Sequence, residues 1–466
     1  MFQLCVRNGR YGAPVIDIPL LGGWFPLALT VVCAALVVLV VARRDRRWLT
    51  RGLPVCVLLG ALAGWGVSWL VADQGMAAEA PPRMLLVWVA VAAGGIVAVP
   101  LTWRGARWWR RTTALVLVPA AVLAAAVSIN SWTGYFRSVD DVWQVASGED
   151  TPGTVGVDGL AAMRGTVQPR GVVVSVDVPS TRSDFTHRTE YVYLPPAWFV
   201  GATPPALPVV EMIGGAFATP QDWIRTGDAD RTADAFAAAH GGTAPVLVLA
   251  DAGGGFDSDT ECVDGRRGNS ATHLEDELPE YVAHTFGTMA DPAHWAVVGW
   301  SMGGTCAVQM TARRPDRFHT FVSISGDTGP NIGSPDNTLA ELYGGDRARM
   351  AAFDPATQLA AHAPFSGVQG VFEEGADGHS AADYLAGPTG LPAGVEKVGT
   401  ADVLAPRAAA AGIPSLVIRR DLQHTWQFAY EAFREILPWV AGRVGTPGAA
   451  EVPLAAAAGG RPVAGA

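Results

Sequence analysis

Charge is what this chain has little of. Asp, Glu, Lys and Arg make up 16% of its 466 residues, against about a quarter in ordinary soluble domains. That shortage, with 50% hydrophobic residues, excludes both a plain soluble enzyme and a disordered chain. Lysine is nearly missing: Lys397 stands alone against 32 arginines. The net charge of −10 argues against a nucleic-acid partner, whose backbone wants clustered Lys and Arg. Cysteine is scarce, with five residues. At this length two or three domains are expected.

The charges that do occur are unevenly divided. Residues 1–137 carry a balance of +9 and residues 138–466 one of −19. Within the first part, residues 25–42, 53–72, 84–103 and 112–130 hold no charged side chain. A helix rising 1.5 Å per residue needs about 20 apolar residues to cross a hydrocarbon core. No stretch shows the polar face that a soluble bundle helix would need. The sequence therefore predicts a four-span membrane domain over 1–137. The first span is not expected to be a cleaved signal, because no basic region lies just before it, arginines follow it and three more spans come after. The first connection holds Arg43, Arg44, Arg46, Arg47 and Arg51, and the third holds Arg104, Arg107, Arg110 and Arg111. The positive-inside rule puts both in the cytoplasm and everything after the fourth span outside. No span carries an ionisable residue, so the spans read as an anchor rather than a transport path.

From about residue 153 the pattern becomes β-branched runs alternating with Ala-rich helical segments. Strands are predicted at 171–178, 189–194, 207–213, 245–250, 294–300, Thr320–Ile324, 368–372 and 415–419. Helices are predicted at 230–240, 271–286, 302–314, 401–411 and 425–441. Continuous apolar strands alternating with helices imply a mainly parallel sheet covered on both faces. The opening strand pair reads as an antiparallel hairpin at the sheet edge. Segment 327–364 has no clean period, and residues 443–466, rich in Ala, Gly and Pro, are expected to lack fixed structure. The main domain is thus 153–442, of the α/β class.

One motif carries chemistry. Gly299-Trp300-Ser301-Met302-Gly303 matches Gly-x-Ser-x-Gly between an apolar strand and a small-residue helix. That is the setting in which a tight turn projects a nucleophilic hydroxyl from the sheet's carboxyl edge. A serine needs a base, and in this fold the acid and then the histidine follow it in sequence. His424, in the loop between the last strand and last helix, is the candidate base. The acid is expected after the 368–372 strand, with Asp377 first and Glu374 second, and His379 as a neighbour. Two backbone donors should face the oxyanion: the amide of Met302, and that of Ala216 in the Gly214-Gly215-Ala216-Phe217 loop. No cofactor or metal is implied. Calcium at Asp257–Asp264 is disfavoured because Cys262 holds the place a calcium loop gives to glycine. Cys262 and Cys306 lie on a cleft loop and on the helix beneath it. They form either a disulfide pinning the loop or two buried thiols.

The segment 172–440 resembles the Putative esterase family of α/β-hydrolases, which includes the mycobacterial antigen-85 mycolyltransferases. The matching pieces are Val178-Pro179-Ser180, 211–217, 298–304, 321–326 and His424-Thr425-Trp426. The resemblance implies acyl transfer through an acyl-serine, using Ser301, an acid after the 368–372 strand, and His424. The mycolyltransferases hold trehalose with an acidic and a basic residue, at positions occupied here by Gly214 and Phe217. They are also secreted, whereas four spans are expected here. The expectation is an extracytoplasmic, membrane-anchored esterase or acyltransferase, acting on an acyl ester of a lipid, sugar or cell-envelope component. Water or an alcohol is the acceptor. The competing reading is a catalytically idle hydrolase domain serving as a binding or sensing module.

Overall fold

The computed structural model of the chain describes residues 6–8, 14–16, 18–42, 46–73, 81–103, 107–147, 151, 153–255, 258–375 and 399–457. They divide into two compact units, Met1–Glu149 and Asp150–Ala466.

Unbroken runs of Val, Leu and Ala give the first unit four long helices: α1 (Trp24–Val41), α2 (Leu53–Asp73), α3 (Arg83–Trp103) and α4 (Trp108–Thr133). All four are long and apolar enough to cross a membrane, with mean hydropathy from 1.8 to 2.7. Small residues let α2 and α3 approach closely. A Cβ on Gly60 would stand 2.4 Å from the Ala90 carbonyl oxygen. Val31, Leu58, Leu62, Trp65 and Ile96 point outward and are exposed, a surface that suits lipid and not water. A short helix, α5 (Val139–Ser147), follows.

The second unit is built on a nine-stranded sheet. Its strands are β1 (Val155–Gly156), β2 (Val172–Val176), β3 (Glu190–Leu194), β4 (Val209–Ile213), β5 (Val246–Ala250), β6 (Trp295–Trp300), β7 (Thr320–Ile324), β8 (Gln369–Gly375) and β9 (Ser415–Arg420). Their order across the sheet is β9-β8-β7-β6-β4-β5-β3-β2-β1. From β9 to β5 every pairing is parallel, and β3 runs antiparallel to both neighbours. This is the strand order of the α/β-hydrolase fold. β3 to β7 are buried along their whole length, as strands covered on both faces must be. The main helices are α6 (Ala229–Ala239), α7 (Leu278–Phe286), α8 (Met302–Arg313), α9 (Thr400–Ala410) and α10 (Trp426–Arg443). Chain direction across the sheet reverses around β4 and β6, so their carboxyl ends flank the crevice where such sheets bind ligands.

Three expectations are corrected. The antiparallel pair β2–β3 is not the edge, because the two-residue β1 lies outside β2. Segment 327–364 is not irregular: it holds helices Pro335–Glu341, Arg347–Phe353 and Pro355–His362. Each is started by a side-chain cap, from Ser334, Asp346 and Asp354, and each is too short to register a hydrophobic period. The tail is ordered through Ala457, with Val444 and Thr446 buried. Its small side chains cannot build a core, but they pack flat against one that exists: a Cβ on Gly442 would stand 2.2 Å from the Ala450 oxygen.

Candidate active site

The turn from β6 into α8 places Ser301. Its backbone sits at φ 57°, ψ −122°, a conformation L-residues seldom adopt. Ser301 N–H donates to the Ile324 carbonyl at 2.9 Å, fastening the turn to β7. The flanking glycines are there because backbone passes too close for a side chain. A Cβ on Gly299 would lie 1.7 Å from the Gly303 oxygen, and one on Gly303 would lie 2.2 Å from the Ile213 oxygen.

His424 reaches this turn from the loop between β9 and α10. Its Nε2 lies 3.0 Å from Ser301 Oγ and its Nδ1 lies 3.0 Å from Ser325 Oγ. With Nε2 as acceptor from Ser301, the ring's proton sits on Nδ1 and is donated to Ser325. The imidazole stacks on Trp300, centroids 4.3 Å apart at 27°, and Phe428 packs edge-on against the same indole. The ring is therefore held both in plane and in rotation.

The expected acid Asp377, and with it His379, lies outside the described residues. Glu374, the second candidate, is the penultimate residue of β8. Its Oε1 accepts the Ala401 N–H at 2.5 Å and its Oε2 pairs with Arg419 at 2.5 Å. Neighbouring Glu373 is fully buried and grips Arg420 with both oxygens, at 2.6 and 2.8 Å. The structure thus brings Ser301 and His424 together and adds Ser325. No sequence argument had pointed to Ser325, though Ser-Gly directly after β7 at the carboxyl edge was a usable signal.

The second wall begins after β4. Residues 215–218 form a turn closed by Ala218 N–H to the Gly215 oxygen at 3.0 Å, with Phe217 at φ 65°. A Cβ on Gly215 would stand 3.0 Å from Ser301 Cβ, so the Ala216 amide lies on backbone that passes against the nucleophile. Met302 is the first residue of α8, where helix amides have no partner inside the helix. Both candidate oxyanion donors therefore flank Ser301.

Behind the turn stands a pair that sequence reasoning missed. The Arg188 guanidinium donates to the Ala218 carbonyl at 2.8 Å and to both oxygens of Asp251 at 2.5–3.2 Å. Burial pushes the Asp251 carboxyl up, but the hydrogen bonds and charge of Arg188 win and hold it below the usual carboxylate range. An aspartate capping an apolar strand was the available signal.

The opposing loop ends at the Cys262–Cys306 disulfide, with Cα atoms 5.7 Å apart, so the pairing and not the two thiols is what occurs. It ties the loop to α8, and Gln309 Nε2 adds a bond to the Cys262 oxygen at 2.7 Å. Between loop and turn lies a solvent-open cleft lined by 214–219, Gly253, Ser258, Asp259 and Met302. Burial pushes the Asp259 carboxyl up to about 6 despite Arg267 beside it.

One cluster resembles a metal site. His187, Glu190 and His273 bring ligand atoms within 4.8 Å of one another. The residues do not fit an ion. His187 has both ring nitrogens on carbonyl oxygens, of Arg188 and Val178, at 2.8 and 2.7 Å. The two imidazoles stack at 4.4 Å and 24°, so their in-plane lone pairs do not converge. The cluster is a hydrogen-bonded network beside β3.

Residues 186–375 match the family described as Putative esterase. Over 225 residues, 46% of this chain and 52% of the relative, the chain is 32% identical to an uncharacterized protein of Corynebacterium glutamicum. Over 136 residues, 29% of this chain and 42% of the relative, it is 30% identical to the MPT51 antigen of Mycobacterium leprae. The chain thus spans about half the length of the curated relatives it matches. Among solved structures, an S-formylglutathione hydrolase of Agrobacterium tumefaciens superposes with a TM-score of 0.47 at 18% identity, over 60% of this chain and 98% of that one.

Proposed function

We propose, from the match of residues 186–375 to the family described as Putative esterase, that this chain is a membrane-anchored serine esterase or acyltransferase. Its catalytic unit acts outside the cytoplasm through an acyl-serine. The observation that carries the reading is His424 Nε2 at 3.0 Å from Ser301 Oγ, on a strained turn that opens a helix.

The chemistry follows from that contact. His424 takes the Ser301 proton as Oγ attacks the ester carbonyl. The amides of Ala216 and Met302 receive the oxyanion, and the N-terminus of α8 favours the charge that develops. His424 then returns the proton to the leaving alcohol, which departs and leaves acyl-Ser301. Water, or an alcohol acceptor, is deprotonated by the same nitrogen and attacks the acyl carbon; the bond to Ser301 Oγ breaks, and His424 returns the proton to Ser301. Ser325 orients the imidazole through Nδ1. Asp377 is the proposed acid that stabilises its charged form, with Glu374 as the alternative.

The substrate is proposed to be an acyl ester of a lipid, sugar or cell-envelope component. Gly214 and Phe217 supply no charged pair for trehalose, so a different acceptor, water included, is favoured. Four spans with arginine-rich first and third connections support placing residues 138–466 outside. The test is hydrolysis of p-nitrophenyl butyrate by the reconstituted chain. Ser301→Ala is expected to lower the rate at least about 1,000-fold. Equal rates for both proteins would leave a binding module in place of the enzyme.

A further inference from the structure

The helix α5, Val139–Ser147, is amphipathic in an unusual way. At 3.6 residues per turn, Val139, Val142, Trp143 and Ala146 form one stripe with Val145 beside it. Asp140, Asp141, Gln144 and Ser147 occupy the other side. In a helix resting on a protein core the apolar stripe is covered and the polar side is wet. Here the apolar stripe is left uncovered. Trp143 is 71% exposed, and Val139, Val142 and Val145 are 38–39% exposed, while Asp140, Asp141 and Gln144 are only half-exposed. The polar side is occupied internally: Gln144 donates to Asp140 at 2.8 Å, and Asp141 Oδ2 accepts the N–H groups of Arg137 and Ser138 at 2.8 Å.

The position of α5 is as fixed as its orientation. It starts six residues after α4 ends, and the connection is folded back onto the last turn of α4. The Asn130 amide holds both polar groups of Phe136, donating to its carbonyl and accepting its N–H at 2.7 Å each. The start of α5 is also stitched to the segment that leads into α1. Leu20 N–H donates to the Arg137 oxygen at 2.9 Å, and Val139 N–H donates to the Ile18 oxygen at 3.1 Å. The helix is therefore anchored where the beginning of α1 and the end of α4 come together. Trp24, Phe25, Trp132, Tyr135 and Phe136 cluster along the same stretches of sequence, the amphipathic ring types that sit at headgroup level.

We propose that α5 lies in the interface of the bilayer on the side where α4 emerges, with its Val139–Val142–Trp143–Val145 side pressed into the acyl boundary and its acidic side toward water. The proposal rests on the reading that α1 to α4 span the membrane. The occupant is lipid rather than protein because α5 is tied by hydrogen bonds to the start of α1 and the end of α4, where the apolar spans reach the bilayer surface. Most interfacial helices add a basic side that attracts anionic lipid. This one carries Asp140 and Asp141, so insertion is driven by apolar area and is indifferent to salt and to anionic lipid.

The test uses the full chain in phosphatidylcholine vesicles, with Cys5→Ser, Cys33→Ala and Cys56→Ala as background. A nitroxide is placed at Val142→Cys, Asp140→Cys or Val31→Cys, the last an exposed position on α1. Relaxation by oxygen, which partitions into lipid, is compared with relaxation by a water-soluble nickel chelate. The expected result is an oxygen-to-nickel ratio several-fold higher at 142 than at 140, with 31 also on the lipid side, unchanged by salt or by added phosphatidylglycerol. A lipid signature at 31 with nickel access at 142, or with both relaxants shut out at 142 by a protein cover, overturns the proposal alone. Nickel access at 31 overturns the spanning reading and the proposal with it.

Discussion

Holding Ser301 at φ 57° costs of order 1–3 kcal/mol for a residue with a side chain. The cost is sustained by backbone alone, through the Ile324 hydrogen bond and the packed glycines on either side. The imidazole beside it depends on a smaller device. Ser325→Ala removes the Nδ1 acceptor seen at 3.0 Å. A hydrogen bond of about 1 kcal/mol corresponds to roughly a fivefold fall in kcat/KM, with the pH profile broadened because the ring is less firmly held. Arg188→Lys keeps a positive charge beside Asp251 but loses the fork that also holds the Ala218 oxygen. If the turn carries the proposed Ala216 oxyanion amide, loosening it forfeits part of the roughly 100-fold that deleting a donor costs, so kcat should fall about tenfold with KM little changed. Steady-state kinetics on p-nitrophenyl butyrate separate the two parameters. Ser301 was legible in the sequence because the turn that presents it demands glycine at fixed offsets. His424 was legible because one loop follows the last strand. Ser325 and Arg188 were not, since they act through bonds to partners 99 and 30 residues away, and no local pattern encodes such pairings.

At the level of elements, period decided what could be read. Strands and helices longer than one or two turns announced themselves through burial on both faces or on one. The three short helices between Pro335 and His362 did not, because seven or eight residues hold too few repeats, and their capping residues are the better signal. The loop that forms the far wall of the cleft has no helix or strand among its described residues up to Cys262 and is held by Cys262–Cys306, across a sequence separation of 44. Replacing both cysteines by serine should lower unfolding free energy by about 4 kcal/mol. The effect is measured as a fall in melting temperature that the wild-type chain reproduces when reduced. The cleft wall should loosen before the sheet does, seen as faster amide exchange in 258–263 than in β4 or β6.

For the whole molecule, averaging hides the design. A net −10 combines +9 over residues 1–137, which hold the four apolar helices, with −19 over residues 138–466, which hold the nine-stranded sheet. Alkaline phosphatase joined after Ser147 is expected to be active and green fluorescent protein there dark, with the reverse pattern for joins after Arg47 in the first connection. Matching activity at both joins would remove the proposed orientation.

The single bond between Cys262 and Cys306 gives the compartment a part in finishing the protein. Such bonds form and persist where the surroundings are oxidising. Where that bond cannot form, the loop carrying Cys262 is untied from α8, and the far wall of the cleft is complete only where the surroundings let the two thiols join.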